Sequence, residues 1–297
     1  MTLRDAWIAA AFVAGSSIAI AGVVIRARRD SADPARCVGL VPIENRCCAP
    51  GQALREGRCD GRPSQCPSPL VTTDLGCMAL PSKVWLAGGS LRAGAGDWEA
   101  EGRVEPHEAV VAPFGLDAFE ITEAAYAECV QAAECPALAI TGEPGRAMRA
   151  MTRRDVETYC RFRGGRLPSD DEWTLAAGSI GSRRYPWGDT GAVCRRAAWG
   201  LQEGPCGVGF NGPELSGAHP DGATPGREDE RIYDLAGNVA EWVACSSAEG
   251  EGTVRGGSFA SALATDLRTW HARRLPADSR SPELGGRCAY DRPAATP

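Results

Sequence analysis

The stretch VRGGSFASA, residues 254–262, sets two hydroxyls, Ser258 and Ser261, just beyond a Gly-Gly corner. A serine there becomes a nucleophile only if a neighbouring base takes its proton and a third group orients that base. The chain has three histidines, His107, His219 and His271. They are far apart in sequence, and none stands beside an acid at a spacing that marks such a relay. They also lack zinc-ligand spacing, and no Cys-x-x-Cys occurs among the 13 cysteines. Carboxylates crowd at Asp170, Asp171 and Glu172, but consecutive positions cannot bracket one substrate bond from two sides.

Those acids belong to helix-start chemistry. In RLPSDDEWTLAAG, residues 166–178, Ser169 and Glu172 form a capping box, Pro168 keeps the approach extended, and Asp170 and Asp171 face the positive helix end. Gly178 ends the helix. Two further helices are expected, over residues 123–131 behind the cap Thr122 and over 152–162 behind Thr152. KVWLAGGSLRAG, residues 83–94, predicts a first strand and its hairpin, and residues 105–122 contain another short β-type run. Beyond Gly178 the chain is mostly turn residues, with short apolar pieces at YDLAGNVAEWV, TVRGGSF and LGGRCAY. A core made of few helices, short strands and long loops needs cross-links or a bound cation to fix it.

Composition narrows the setting. Net charge is −6, Lys83 is the only lysine, and no basic stripe with interleaved aromatics occurs, so nucleic acid is not an expected partner. Thirteen cysteines point to disulfides and an oxidising compartment, with one thiol left over. Six of them, Cys37, Cys47, Cys48, Cys59, Cys66 and Cys77, fall in a Gly- and Pro-rich segment that can bury little apolar surface. Residues 37–77 are therefore expected to form a small disulfide module, a spacer or a binding knob, with its connectivity open. Cys129 and Cys135, and likewise Cys194 and Cys206, sit close enough to close small loops.

The uncharged run at residues 6–25 is long enough to span a bilayer, and residues 26–36 follow as a polar linker. Arg26, Arg28 and Arg29 behind the run would keep the downstream part cytoplasmic, whereas the cysteines place it outside. The cysteines outweigh the arginines here. The expectation is an extracytoplasmic protein, periplasmic or on the cell surface, anchored in the membrane by residues 6–25. A signal segment cut near Ala19-Ile-Ala21 is the alternative.

Several motifs occur in an order that resembles the formylglycine-generating enzyme (sulfatase-modifying factor) superfamily. They are WLAGGSL, EPHEAVVAPFGLDAFEITEAAYAEC, YCRFRGGRLPSDDEW, YPWGD, YDLAGNVAEWV, VRGGSF and GGRCAY, spread over residues 81–292. The resemblance implies an α+β fold, loop-rich and C-type-lectin-like, behind the membrane segment and the disulfide module. It implies a bridge between Cys160 and Cys288; Cys129–Cys135 and Cys194–Cys206 are expected as local bridges, which leaves Cys245 as the odd thiol. It implies a structural calcium on the carbonyls of Ala236, Gly237 and Val239 and the carboxylate of Glu241, a sensible oxygen set for a hard cation. A second family cation site lacks its asparagine near residues 197–201 and is not expected.

Enzymes of this family oxidise a sulfatase cysteine with O₂ and Cu(I) held by two cysteines. The resemblance places those cysteines at Ser261 and Asp266, and hard oxygens do not replace thiolates for Cu(I). No copper and no formylglycine-generating activity are therefore expected. Iron-dependent relatives need an added histidine-rich domain that this chain lacks. The resulting expectation is a non-catalytic binding or scaffolding protein for a protein, peptide or glycan ligand. Its groove would run between VRGGSF and LRTWHARR, lined by Ser258, Ser261, Trp270, His271 and Arg273. A divergent oxidoreductase with a different active site is the alternative.

Overall fold

The computed structural model describes residues 37–94, 97–102, 104–179, 181–244 and 250–292. The proposed membrane segment, its linker and Cys245 lie outside the described residues. Among the described residues, no helix is long and apolar enough to cross a membrane.

The cysteine-rich segment folds as three hairpins, cross-linked by three disulfides. Strands β1 (Val41–Ile43) and β2 (Arg46–Cys48) pair, as do β3 (Ala53–Arg55) with β4 (Arg58–Asp60), and β5 (Val71–Thr73) with β6 (Gly76–Met78). The bridges are Cys37–Cys47, Cys48–Cys59 and Cys66–Cys77. Adjacent Cys47 and Cys48, both on β2, thus bond different partners, Cys37 ahead of β1 and Cys59 on β4, as disulfide geometry favours.

The hairpins do not stand apart from the rest. Leu40, Ala49, Leu70 and Cys77 share an apolar cluster with Ala218, and Phe119 and Leu215 pack against it. Beside it, Arg46 Nη2 reaches both oxygens of Glu143 at 2.9 and 2.6 Å, and the Cys59 N–H donates to Glu143 Oε1 at 2.9 Å. Arg146 pairs with the same carboxylate, and Arg46 lies 4.3 Å over the Phe210 ring.

The larger part starts with β7 (Lys83–Leu86), then β8 (Gly89–Ala93), β9 (His107–Val111) and β10 (Phe114–Asp117). The expected hairpin over residues 83–94 is corrected here. β7 pairs with β10, whereas β8 pairs with β9, so the Gly-Gly corner carries the chain from one sheet to another. Gly88 has φ +74, and a Cβ there would lie 2.2 Å from the Val111 carbonyl oxygen. The requirement is a backbone crossing, not a two-residue hairpin turn.

Three helices follow: α1 (Glu123–Gln131), α2 (Arg153–Phe162) and α3 (Asp170–Gly178). Their N-caps are Thr122, Thr152 and Ser169, and the last two complete capping boxes with Asp155 and Glu172. A second sheet has the order β13-β12-β11-β14, built from β11 (Ala240–Val243), β12 (Glu251–Arg255), β13 (Ala272–Pro276) and β14 (Leu284–Gly285). Strand β15 (Ala289–Asp291) returns to the first sheet beside β10.

Trp242, Tyr126, Met148, Met151 and Val156 make one buried cluster, fastened by the Cys160–Cys288 bridge between α2 and the chain entering β15. Trp173 of α3 anchors a second with Phe114 and Leu116. Irregular chain between α3 and β11 packs Tyr185, Trp199 and Leu201 with Phe259, which follows β12, and Cys194–Cys206 closes a loop within that chain. The result is a mixed helix–sheet, loop-rich, disulfide-fastened fold. The β12–β13 pair and the N-terminus of α3 frame its main cleft.

Candidate functional site

An open cleft of about 1190 Å³ lies over one face of β12 and β13. Glu251, Thr253 and Arg255 come from β12, Ala272 and Arg274 from β13, and Ser169, Asp170 and Asp171 from the start of α3. Glu105 and His107 close one side, and Leu263, Thr265, Asp266, Trp270 and His271 the other.

Arg255 is the floor's fixed point. Its Nε and Nη2 clamp both oxygens of Asp170 at 2.7 and 2.6 Å, and Nη1 donates to the Trp270 carbonyl at 2.9 Å. Such a bidentate pair holds β12, α3 and the 264–271 segment in one arrangement. Asp171 turns to His107, whose Nε2 lies 2.9 Å from Asp171 Oδ1. That bond, more than any other influence, raises the imidazole pKa above its ordinary value. Glu172 stays with the helix start, accepting from the Ser169 N–H at 2.7 Å and pairing with Arg166. The three adjacent acids therefore have three separate partners, and two of those pairs form cleft wall at the first turn of the helix.

The expected groove is partly redrawn. Trp270 and His271 line the cleft. Ser258 is buried and donates from Oγ to Glu283 Oε2 at 2.9 Å, away from it. Arg273 reaches the same Glu283 at 3.5 Å, and its neighbour Arg274 lines the cleft instead. Alternation along a strand explains the exchange, since adjacent residues of β13 face opposite sides. Ser261 folds back so that its Oγ accepts the Ser258 N–H at 3.0 Å. Asp266 does line the cleft. Both positions close around Gly257, where φ is +69 and an added Cβ would sit 3.0 Å from Ser261 Oγ and 2.8 Å from the Asp266 carbonyl oxygen.

For Cu(I) the donor set is wrong. Ser261 and Asp266 offer oxygen, and every cysteine among the described residues is consumed in a disulfide. For calcium the charge is suitable, but the expected carboxylate is not. Both oxygens of Glu241 are held by Arg287, at 2.6 to 2.9 Å, and Trp173 Nε1 donates to Oε2 at 2.7 Å. Glu120 and Asp234 are buried nearby, and burial above all pushes both above the usual carboxylate range.

Glu120, Asp234 and Glu241 thus gather around the buried guanidinium of Arg287, with His219 a further basic group acting on Asp234, and a hard dication would balance the three carboxylates when all are ionised. Glu120 spends its oxygens on the Val239 N–H and the Asn238 amide. Asp234 accepts from the Gly217 N–H through Oδ2 at 2.6 Å. Asp234 is therefore less committed than Glu241, whose two oxygens are both taken. Among the described residues, no three His, Cys, Asp or Glu side chains converge on a metal-sized point, so backbone carbonyls would have to supply most ligands.

Comparison with known proteins gives a consistent picture. The sulfatase-modifying factor enzyme 1-like domain matches residues 71–292. Over 144 residues the chain is 35% identical to the inactive C-alpha-formylglycine-generating enzyme 2 of Bos taurus, covering 46% of this chain and 47% of that protein. Over 160 residues it is 31% identical to the formylglycine-generating enzyme of Thermomonospora curvata, covering 52% and 46%. The chain therefore spans about half the length of these relatives. Its fold is similar to PvdO from Pseudomonas aeruginosa, with a TM-score of 0.54 and 20% identity over 77% of this chain and 100% of that one.

Proposed function

The chain belongs to the sulfatase-modifying factor enzyme 1-like domain family, and from that premise we propose that it is a non-catalytic binding or scaffolding protein. The observation that carries this is the pair Ser261 and Asp266 where the family resemblance calls for thiolates. The fold keeps the corner at Gly257 that brings the two positions together, but oxygen donors there cannot hold Cu(I). The likeness to an inactive relative supports the same reading.

In this reading the cleft over β12 and β13 receives a protein, peptide or glycan ligand. The segment at residues 6–25 anchors the protein in the membrane, and the disulfide-rich part works outside the cytoplasm. A structural calcium ion belongs to the turn at residues 236–239, held by the carbonyls of Ala236, Gly237 and Val239 with Asp234. It would supply charge balance and rigidity, with no part in a reaction.

The deciding experiment incubates the purified protein with Cu(I), O₂, a thiol reductant that supplies the two further electrons, and a Cys-x-Pro-x-Arg peptide of sulfatase type. Unchanged cysteine is the expected result, and aldehyde formation would overturn the proposal. A divergent oxidoreductase is the second reading, favoured by one observation, the His107–Asp171 pair on the cleft wall. Stoichiometric copper or iron in the purified protein would support that reading over the first.

A further inference from the structure

The cleft wall that carries His107 is lightly held. Among the described residues, β8 and β9 pair only with each other, and neither joins the two larger sheets. β8 is the anchored strand: Leu91 and Ala93 are buried, and Leu91 packs in the cluster around Trp173. β9 is the outer one, and of its five residues only Val111, the last, is buried. His107 begins β9 at the opposite end, just after the cleft residues Val104 and Glu105. Few buried contacts and an exposed end mark a segment that opens locally at less cost than the whole fold.

Among the described residues, His107–Asp171 is the one side-chain hydrogen bond between β9 and helix α3. Asp171 and Asp170 act on the imidazole from α3, and Glu105 and Glu108 flank it in its own segment. Asp170 is taken by Arg255, and Glu108 pairs with Arg92 of β8 at 3.0 Å. Across the cleft stand Glu251, Asp266, His271 and Arg274. The ring itself lies between two acceptors, with Nε2 2.9 Å from Asp171 Oδ1 and Nδ1 3.5 Å from the Glu105 carbonyl oxygen. A neutral imidazole has a single N–H, so only the imidazolium donates to both at once. Loss of the proton turns a bare nitrogen toward one oxygen and removes the charge assistance that makes such a bond roughly twice as strong.

We propose that the leading end of β9 is a movable wall of the cleft, latched to helix α3 by the His107–Asp171 bond and released when the imidazole loses its proton. This rests on the cleft being the ligand site and adds the regulation of that site: the wall is fastened in mildly acidic surroundings and loosened in alkaline ones. The latched state is fully favoured below the ordinary histidine value of about 6.5 and loses that advantage as pH rises through the raised value of the latched ring. Both side chains are more than a third exposed, so the change in opening is about fivefold at most.

The test is hydrogen–deuterium exchange of the full chain between about pH 5.5 and about pH 8.5, each rate corrected for intrinsic exchange at that pH. Protection over residues 105–111 and 169–172 should fall about two- to fivefold across that range, while the inner strand β12 stays level. The His107→Gln variant keeps a neutral donor but cannot take a charge, and should hold a low protection there with no step in pH. A bond that merely fastens the strand would leave the wild-type profile flat, so the unaltered protein can refute the latch even where the variant fails to fold. A flat wild-type profile, or a step that persists in His107→Gln, would overturn the latch and leave the cleft as ligand site. The exchange is read on the free protein, so the copper assay judges the non-catalytic reading separately.

Discussion

His107 Nε2 stands 2.9 Å from Asp171 Oδ1, which joins strand β9 to the first turn of helix α3 in the cleft wall. Since the folded pKa of His107 is raised, the folded state holds that proton more tightly than the unfolded chain. The stability it contributes is complete below the unfolded histidine value of about 6.5 and is lost as pH rises through the folded value. Both side chains are more than a third exposed, so solvent screening limits the effect to about 1 kcal/mol or less. Denaturant melts of wild type and His107→Ala should differ most near pH 5 and converge toward pH 9. A gap that widens with pH would show that the pair does not titrate in this way.

A second prediction concerns Glu143, which joins the hairpin segment to the main fold. Burial lowers the pKa of Arg46 to about 10 and of Arg146 to about 9, and both guanidiniums pair with the Glu143 carboxylate. Glu143→Gln leaves two buried cations facing a neutral amide. Removing one partner of a buried pair costs about 3–5 kcal/mol, and a loss near that size is expected in the denaturant midpoint. A loss under about 0.5 kcal/mol would mean that the apolar cluster around Leu40 and Leu70 alone holds the hairpins in place.

These residues also mark where sequence reasoning succeeds and where it stops. The caps Thr122, Thr152 and Ser169 were legible because a cap is a bargain among residues within one turn. Asp170 and Asp171 were legible as helix-start acids but not as cleft wall. Their partners Arg255 and His107 lie 85 and 64 residues away, and only the fold brings them together. The choice between Arg273 and Arg274 depended on the phase of β13, which β12 sets and the string ARRLP does not reveal. The corner at Gly88 looked like a hairpin because the Gly-Gly signal is local, whereas the crowding that requires it comes from Val111. Asp234 was passed over because its significance lies in the buried cluster it forms with Glu120, Glu241 and Arg287, visible only once burial is known.

The Cys160–Cys288 bridge makes a third prediction. It spans 128 residues of sequence, both cysteines are fully buried, and it ties α2 to the chain entering β15. Chain-entropy reasoning gives a contribution of about 5 kcal/mol for a loop of that size, an upper figure because the reduced chain retains structure. The double variant Cys160→Ser/Cys288→Ser should lose most of that in guanidinium melts under non-reducing conditions. The shorter Cys129–Cys135 loop should cost less when removed in the same way. Equal costs for the two would argue against unfolded-state constraint as the source.

Calcium gives the last prediction and a clean separation of residues. With Glu120 and Asp234 buried and Glu241 committed to Arg287, the folded chain either retains a proton on the cluster or takes up a cation. A cation that binds only the folded state raises the melting temperature with concentration, by about 2.7 kcal/mol of stability at a hundredfold excess over its dissociation constant. Chelated protein should therefore melt later as calcium is added, and magnesium should do less, because it demands a tighter octahedral shell than a turn of carbonyls offers. Asp234→Asn should abolish the calcium response while keeping the N–H acceptor that Gly217 needs. Ser258→Ala, which alters the neighbouring corner and its bond to Glu283, should leave that response intact. If wild-type melting is indifferent to calcium across the millimolar range, a proton balances the cluster, and the carbonyls of Ala236, Gly237 and Val239 hold no ion.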